Sequence, residues 1–513
     1  MPFFAILAEI MAKTPQNDTP VAGEGGIKGI LEWLALAHGR SNAEDTEELL
    51  RQVLYLREAP IATPQRIKLL DLLYAHTEEV VRSELPRLNE LSLPISRKIR
   101  QRVRLILELL ETLTQDYFNT LAALFDPQGN TLGNAAQTSL RRAMLSIAWQ
   151  IRIHHLVAAP PRPGLWQQLH AAFRTARRLG VEHHPGPRES ASIQRLYTNI
   201  LLTAIAQPAS FSSDELEFIN ALVEQSGQAP VLSENISGPL DSCFWIDLDR
   251  DFPAHALSRR TPGSDIQPLY FSCAELAREI GDIRQRLNTG TPPRQIELPD
   301  FAGTHSGQGV LRRLEKLWGL PAKRKFPRRR QSYRARLCAG LESLHQLLEN
   351  PDQDVELSEW MVTNESPDGF ALMHMMGSTT QLRVGDIVAI QTQKEAGNGD
   401  AWHVCIIRWA ISENPEHVEV GLQLLAPRAI AARIAQPWNL EAPQVNALIL
   451  PETPPLRKNQ SLVVSPGLLN EDSRQIVLLI EQDNFAVREV RTTGIDEQTS
   501  SVEIFPISPE DME

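Results

Sequence analysis

Two short stretches of this chain hold side chains whose types and spacing could do chemistry. The first is Lys323-Arg324-Lys325-Phe326-Pro327-Arg328-Arg329-Arg330-Gln331-Ser332-Tyr333-Arg334-Ala335-Arg336, in which eight of fourteen residues are basic and none is acidic. Such a run can be a solvated linker, a patch facing RNA or a membrane, or a specific anion site. Its centre is arginine rather than lysine. A guanidinium presents a planar fork that grips phosphate with two hydrogen bonds and stacks on flat rings, whereas an ammonium is a point charge. The run also enters a strand-rich region instead of ending the chain. Arg330 and Arg334, four apart at a loop-to-strand transition, can be aimed at one ligand. These features favour the anion site.

The second stretch is Asn364-Glu365-Ser366-Pro367-Asp368-Gly369, after the strand-like Trp360-Met361-Val362-Thr363. Asn and Ser side chains can accept from base or amide edges and donate to carbonyls. Pro367 and Gly369 set a tight turn, and glycine lets the backbone approach a ligand closely. Alone, this stretch reads as a polar hairpin loop.

Taken together the two are more specific. An RxxxR motif (Arg330, Arg334), then a strand, then [D/N]xSxxG (Asn364, Ser366, Gly369) resembles the PilZ domain, a bacterial receptor module for cyclic di-GMP. The resemblance continues through Val384-Gly385-Asp386-Ile387-Val388, Val404-Cys405-Ile406-Ile407-Arg408-Trp409 and Val420-Gly421-Leu422-Gln423-Leu424, which look like the later barrel strands of that family. It covers residues 323–435 only. It implies that Arg330 and Arg334 hold phosphate and guanine edges. It also implies that Asn364, Ser366 and Gly369 close on the opposite guanine. Arg329, directly before the motif, implies an intercalated pair of nucleotides at the site. The segment from Leu341 to Glu359 departs from the family by being longer and more helical, and is expected to bring Asp352, Asp354 and Glu356 near the pocket.

The elements that must position these residues form a multidomain α+β chain. Residues 1–26 are rich in Pro, Gly, Asn and Asp towards their end and read as a flexible segment. Residues 27–227 carry apolar positions at three- and four-residue spacing, as in Val103, Ile106, Leu107, Leu109, Leu110 and Leu113, and predict an all-α bundle. Ser96 reads as a helix N-cap, Ser212-Ser213-Asp214-Glu215 as another helix start, and Pro86 as a kink or stop. Residues 228–322 predict a small mixed α/β region. Residues 323–435 predict an antiparallel β-barrel, with strands over 334–341, 358–364, 369–376, 386–392, 402–411 and 417–425. Residues 436–513 predict a second β unit that ends in a frayed acidic tail from Pro506.

Composition narrows the function classes. The 513 residues carry a net charge of −12, but the run 323–336 alone carries +8, which leaves −20 for the rest. An acidic body disfavours long nucleic acids, while one concentrated basic stretch suits a small anionic ligand. Cys243, Cys273, Cys338 and Cys405 are too far apart for a zinc ribbon. His154-His155 and His183-His184 lack the three- or four-residue spacing of a helical metal site, so no metal is expected. No P-loop, GxSxG, HExxH or well-placed GxGxxG is present, and no catalytic activity or catalytic cofactor is expected. No stretch is long and apolar enough to span a membrane, and the N-terminus lacks the basic start of a signal peptide. The expectation is a cytoplasmic receptor for cyclic di-GMP. It would engage a protein partner through its helical domain, at a membrane-associated machine for surface attachment or type IV pilus motility. The competing readings are a scaffold that binds proteins without nucleotide and a β-barrel that binds RNA or DNA.

Overall fold

A computed structural model describes residues 27–36, 42–89, 91, 93–124, 133–186, 190–227, 229–321, 326–350, 354–377, 379, 382–393, 401–414, 417–435, 444–454, 457–469, 476–481, 485–492 and 494–509. The N-terminal segment 1–26, Lys323-Arg324-Lys325, Asp352 and the last four residues lie outside them.

The chain begins with helices α1 (Ile27–Leu36), α2 (Asn42–Glu58), α3 (Thr63–Asn89), α4 (Arg97–Leu124), α5 (Gly133–Leu156), α6 (Leu165–Leu179), α7 (Ile193–Ile205) and α8 (Ser213–Gln225). The predicted start signals operate. Ser96 Oγ accepts from the amide of Ile99, and Ser212 and Glu215 form a reciprocal capping box at α8. Such caps satisfy amides that have no partner inside the helix and contribute about 1 kcal/mol each. In α4 the stripe Val103, Ile106, Leu109, Leu110, Leu113, Tyr117, Leu121 and Leu124 is buried, the pattern of a face packed on neighbouring helices. Of the kink or stop expected at Pro86, the stop is not found. Pro86 sits inside α3, which continues to Asn89. Proline removes one hydrogen bond there, and the burial of Leu88 against the core holds the last turn in place.

A three-stranded antiparallel sheet follows, in the order β2 (His255–Ala256), β1 (Cys243–Ile246), β3 (Leu269–Ser272). Then come α9 (Ala274–Asn288) and α10 (His305–Gly319). One continuous apolar core runs from Ile30 through Phe271 to Trp318, so this mixed region packs onto the helical bundle.

Strands β4 (Arg329–Ala339), β5 (Ser358–Ser366), β6 (Gly369–Met376), β7 (Ile387–Thr392), β8 (His403–Asn414) and β9 (His417–Ala426) close into an antiparallel barrel in the order β4-β5-β6-β9-β8-β7. Ala335, Leu337, Trp360, Val362, Leu372 and Val388 fill it. The helical insert α11 (Leu341–Glu349) lies between β4 and β5 and is buried against Cys338 and Ile387 of the barrel and Leu448 of the following sheet.

The chain then forms a second sheet from β10 (Ile430–Ala435), β11 (Val445–Leu450), β12 (Ser461–Val464), β13 (Ile476–Glu481), β14 (Phe485–Thr492), β15 (Glu497–Gln498) and β16 (Glu503–Pro509). The barrel has no free edge once β7 pairs with β4. Strand β10, read from sequence as the end of the barrel unit, therefore pairs with β11 and β13 instead. Over residues 506–509 the expected fraying is overturned: Pro506 pairs with Ser461 and Ile507 with Thr492, and Ile507 is buried, while residues 510–513 of that expectation lie outside the described residues.

Candidate functional site

Both sequence motifs meet at one end of the barrel. Strand β4 runs antiparallel to β5, and their register places Arg330 directly opposite Asn364, Arg329 opposite Glu365 and Arg334 opposite Met361. The register shifts by one residue between Arg330 and Tyr333, a β-bulge on the arginine strand. A second shift lies on β5 between Val362 and Asn364. Bulges bend and twist a strand and re-aim its side chains, and here they flank the arginine and asparagine positions.

Arg329, Arg330 and Arg334 are exposed, and Asn364 is half-buried. The site is thus an open, basic ledge. Arg334 makes a loose ion pair with Glu359, Nη1 to Oε2 at 3.9 Å, with both side chains about half exposed (57% and 49%). Pairs of this kind contribute under about 1 kcal/mol, so a phosphate can take the guanidinium over at small cost. Tyr333 points towards the barrel interior and its hydroxyl donates to Glu365 Oε2 at 3.1 Å. Arg336, counted within the same basic run, is committed elsewhere. Its Nε donates to Gln391 at 3.0 Å, and its guanidinium lies 5.8 Å from the Trp402 ring centre.

The β5–β6 turn carries the other half. Ser366 pairs with Gly369, which leaves Pro367 and Asp368 at the tip. Ser366 Oγ donates towards Asp368 Oδ1 at 2.7 Å and lies 3.2 Å from the Gly369 carbonyl oxygen. The turn is held to β9, where the Leu424 amide donates to the Asp368 carbonyl at 2.9 Å. Gly369 is required by space. A Cβ on it would lie 2.0 Å from the Leu422 carbonyl oxygen.

The structure therefore brings Arg329, Arg330, Asn364, Ser366 and Gly369 to one corner, with Arg334 one turn of the pleat further along β4. It does not bring the α11 insert there. That helix follows the far end of β4, about 30 Å from Arg330 at strand rise, and His345 bonds the Ala432 carbonyl of the second sheet. Asp354 and Glu356 are exposed beyond it. Composition did not reveal Glu359 and Gln423 as neighbours of the motifs, because only strand register places them there, and register likewise sets Glu365 of the second motif opposite Arg329. Among the described residues no cluster of His, Cys, Asp or Glu could hold a metal ion. All four cysteines are buried and unpaired.

Comparison with known proteins bears on this arrangement. The family model described as the N-terminal domain of the cyclic-di-GMP receptor FimW matches residues 28–234. The model of that receptor's middle PilZ domain matches residues 346–430. Together they span more than half of the chain. The chain belongs to the PilZ-domain cyclic-di-GMP receptor family. A curated member, the cyclic-di-GMP receptor FimW of Pseudomonas aeruginosa, is 21% identical over a 565-residue alignment that covers 91% of this chain and 89% of the relative. The PilZ match contains Asn364, Ser366 and Gly369 and the strands β5 to β9. The match to the receptor's N-terminal domain contains the helical bundle through α8. No described helix is long and apolar enough to cross a membrane.

Proposed function

We propose that this chain binds cyclic di-GMP on the β4–β5–β6 corner of its PilZ barrel and passes that state to a protein partner through its helical region. The observation that carries the reading is the register of Arg330 opposite Asn364, which makes one ledge of two motifs 34 residues apart. Cyclic di-GMP has two phosphodiesters and two guanines. Guanine O6 and N7 are both acceptors, which one guanidinium can engage together. Arg330 and Arg334 would grip phosphate and guanine edges, Arg329 a second stacked nucleotide, and Asn364 and Ser366 the opposite guanine, while Gly369 keeps the turn low enough to admit it. Nothing in this arrangement requires a metal or a catalytic cofactor.

The family supports a receptor rather than an enzyme. Action at a surface-attachment or type IV pilus machine, in the cytoplasm or recruited to the membrane, is the wider proposal. Isothermal calorimetry of the full chain with cyclic di-GMP tests the binding step, and saturation at one or two nucleotides per chain tests the role of Arg329. Absence of a binding heat across the micromolar range overturns the reading. A pull-down with and without the dinucleotide tests the relay, with a ligand-dependent partner as the expected result.

A further inference from the structure

A guanidinium on β8, that of Arg408, ties the strand behind the candidate ligand loop to the C-terminal sheet. Gln423 of β9 lies directly across from Gly369. Its amide oxygen accepts from Arg408 Nε at 2.6 Å, and Arg408 Nη2 donates to Glu497 Oε2, also at 2.6 Å. Glu497 begins β15, the first strand of a hairpin in which it pairs with Ile504. Burial alone would raise the Glu497 carboxyl. The charge and hydrogen bond of Arg408, with Arg313 and Lys316 of α10, hold it below the ordinary carboxylate range. The carboxylate is therefore charged and under the influence of three cations from two directions.

That hairpin is wedged between the barrel and α10. Thr499 Oγ1 donates to the Gly385 carbonyl of the barrel at 2.9 Å. Arg312 Nη1 of α10 donates to the Ile495 carbonyl at 3.1 Å. A Cβ on Gly309 of α10 would lie 2.3 Å from the Gln498 carbonyl oxygen, so helix and hairpin touch backbone to backbone. From α10, Arg313 bonds the Ser210 carbonyl at 2.9 Å and pairs with the buried Glu215 of α8 at 2.5 Å. The far end of β8 has its own anchor on the helical bundle. There the Ser412 amide donates to the Ala158 carbonyl at 2.8 Å, and Arg100 Nη2 donates to Ser412 Oγ at 2.7 Å.

One guanidinium can serve Gln423 and Glu497 together only while β9 and the hairpin keep their present spacing. A relative shift of about 1 Å would stretch a 2.6 Å bond past hydrogen-bonding distance. Arg408 therefore links β9 to the hairpin only while both bonds are held. We propose that Arg408 is a positioning residue for the dinucleotide: it couples the Ser366–Gly369 loop to the hairpin of residues 495–504, so that ligand closure on the loop tightens the hairpin's seat on α10. This rests on the cyclic di-GMP reading of the loop.

Hydrogen–deuterium exchange on the full chain, with calorimetry on the same samples, tests it. In the wild type, cyclic di-GMP should slow exchange several-fold in residues 495–504 and 305–319. Glu497→Gln keeps shape and an acceptor but removes the charge. It should cut that slowing at least threefold, and by reciprocity weaken dinucleotide affinity by a similar factor. Arg408→Lys, which keeps the charge but cannot fork to two partners, should behave alike and guards against a folding defect in the first variant. A contact with only a structural role would lower stability and leave the ligand-dependent difference intact. Wild-type binding with unchanged exchange at 495–504 and 305–319 overturns the coupling and leaves the binding reading standing. No binding heat in the wild type overturns the binding reading, and the coupling with it.

Discussion

Gly369→Ala is the sharpest perturbation of the proposed site, because its effect can be worked from geometry. The added Cβ would sit 2.0 Å from the Leu422 carbonyl oxygen, an atom of the β9 backbone. Ordinary contact needs at least about 3 Å, so the β5–β6 turn must lift by about 1 Å or more. Overpacking of that kind costs about 1–3 kcal/mol. The turn can relieve the strain by giving up the bond from the Leu424 amide to the Asp368 carbonyl, which moves Ser366 and Asn364 away from the arginine ledge. If the dinucleotide needs the low turn, that cost is subtracted from binding, and each 1.4 kcal/mol is about tenfold in affinity. Gly369→Ala should therefore weaken cyclic di-GMP binding by about fivefold to more than a hundredfold. Gly29→Ala, where the new Cβ meets nothing within 4 Å, should leave it unchanged. Calorimetry on both variants gives the comparison. Wild-type affinity in Gly369→Ala would refute the argument that the turn's closeness to β9 matters to the ligand.

Other outcomes follow from the same structure. Arg330→Ala or Arg334→Ala should each weaken binding by about tenfold to a hundredfold, since a charged hydrogen bond contributes about 1.5–3 kcal/mol; calorimetry reads this, and unchanged affinity in both removes the site assignment. Glu359→Ala frees Arg334 from its loose partner and should leave affinity equal or slightly higher, measured the same way. Raising salt from 50 to 200 mM should weaken dinucleotide binding less than about tenfold, whereas a barrel gripping a long strand through six phosphates would lose about a thousandfold; a titration series in salt separates the two. In the helical bundle, burial raises the Asp116 carboxyl from 3.8 to about 6 against the pull of Arg57. Between these values the native state holds a proton that the unfolded chain has released, so this contribution to stability falls as pH rises from about 4 to 6. Asp116→Asn should lose that dependence, read from denaturant midpoints at pH 4.5 and 7.

The sequence by itself determined most of what is local. Apolar spacing in α4 and the caps at Ser96 and Ser212 are decided by residues a few positions apart, and these helices formed where expected; the polar break expected over Asn364–Gly369 narrowed to Pro367-Asp368, because β5 runs on to Ser366. The two half-motifs were legible for the same reason. Their chemistry is carried by residue type, and their order along the chain marks a known module.

Tertiary structure decided what depends on distant partners. Whether the motifs share one surface turned on the β4–β5 register and its bulge, and a slip of one residue would have sent the side chains to opposite faces. The helix through Pro86 survived because Leu88 found a core. The path of β10 followed from barrel closure, which left it no edge to join. The α11 insert went to the far end of β4 because its leucines meet Cys338, Ile387 and Leu448 there, and no local pattern states where an apolar face will be covered. The fork of Arg408 between Gln423 and Glu497 lies wholly on this side: two residues 15 and 89 positions from the arginine meet it together only when barrel and C-terminal sheet are both folded.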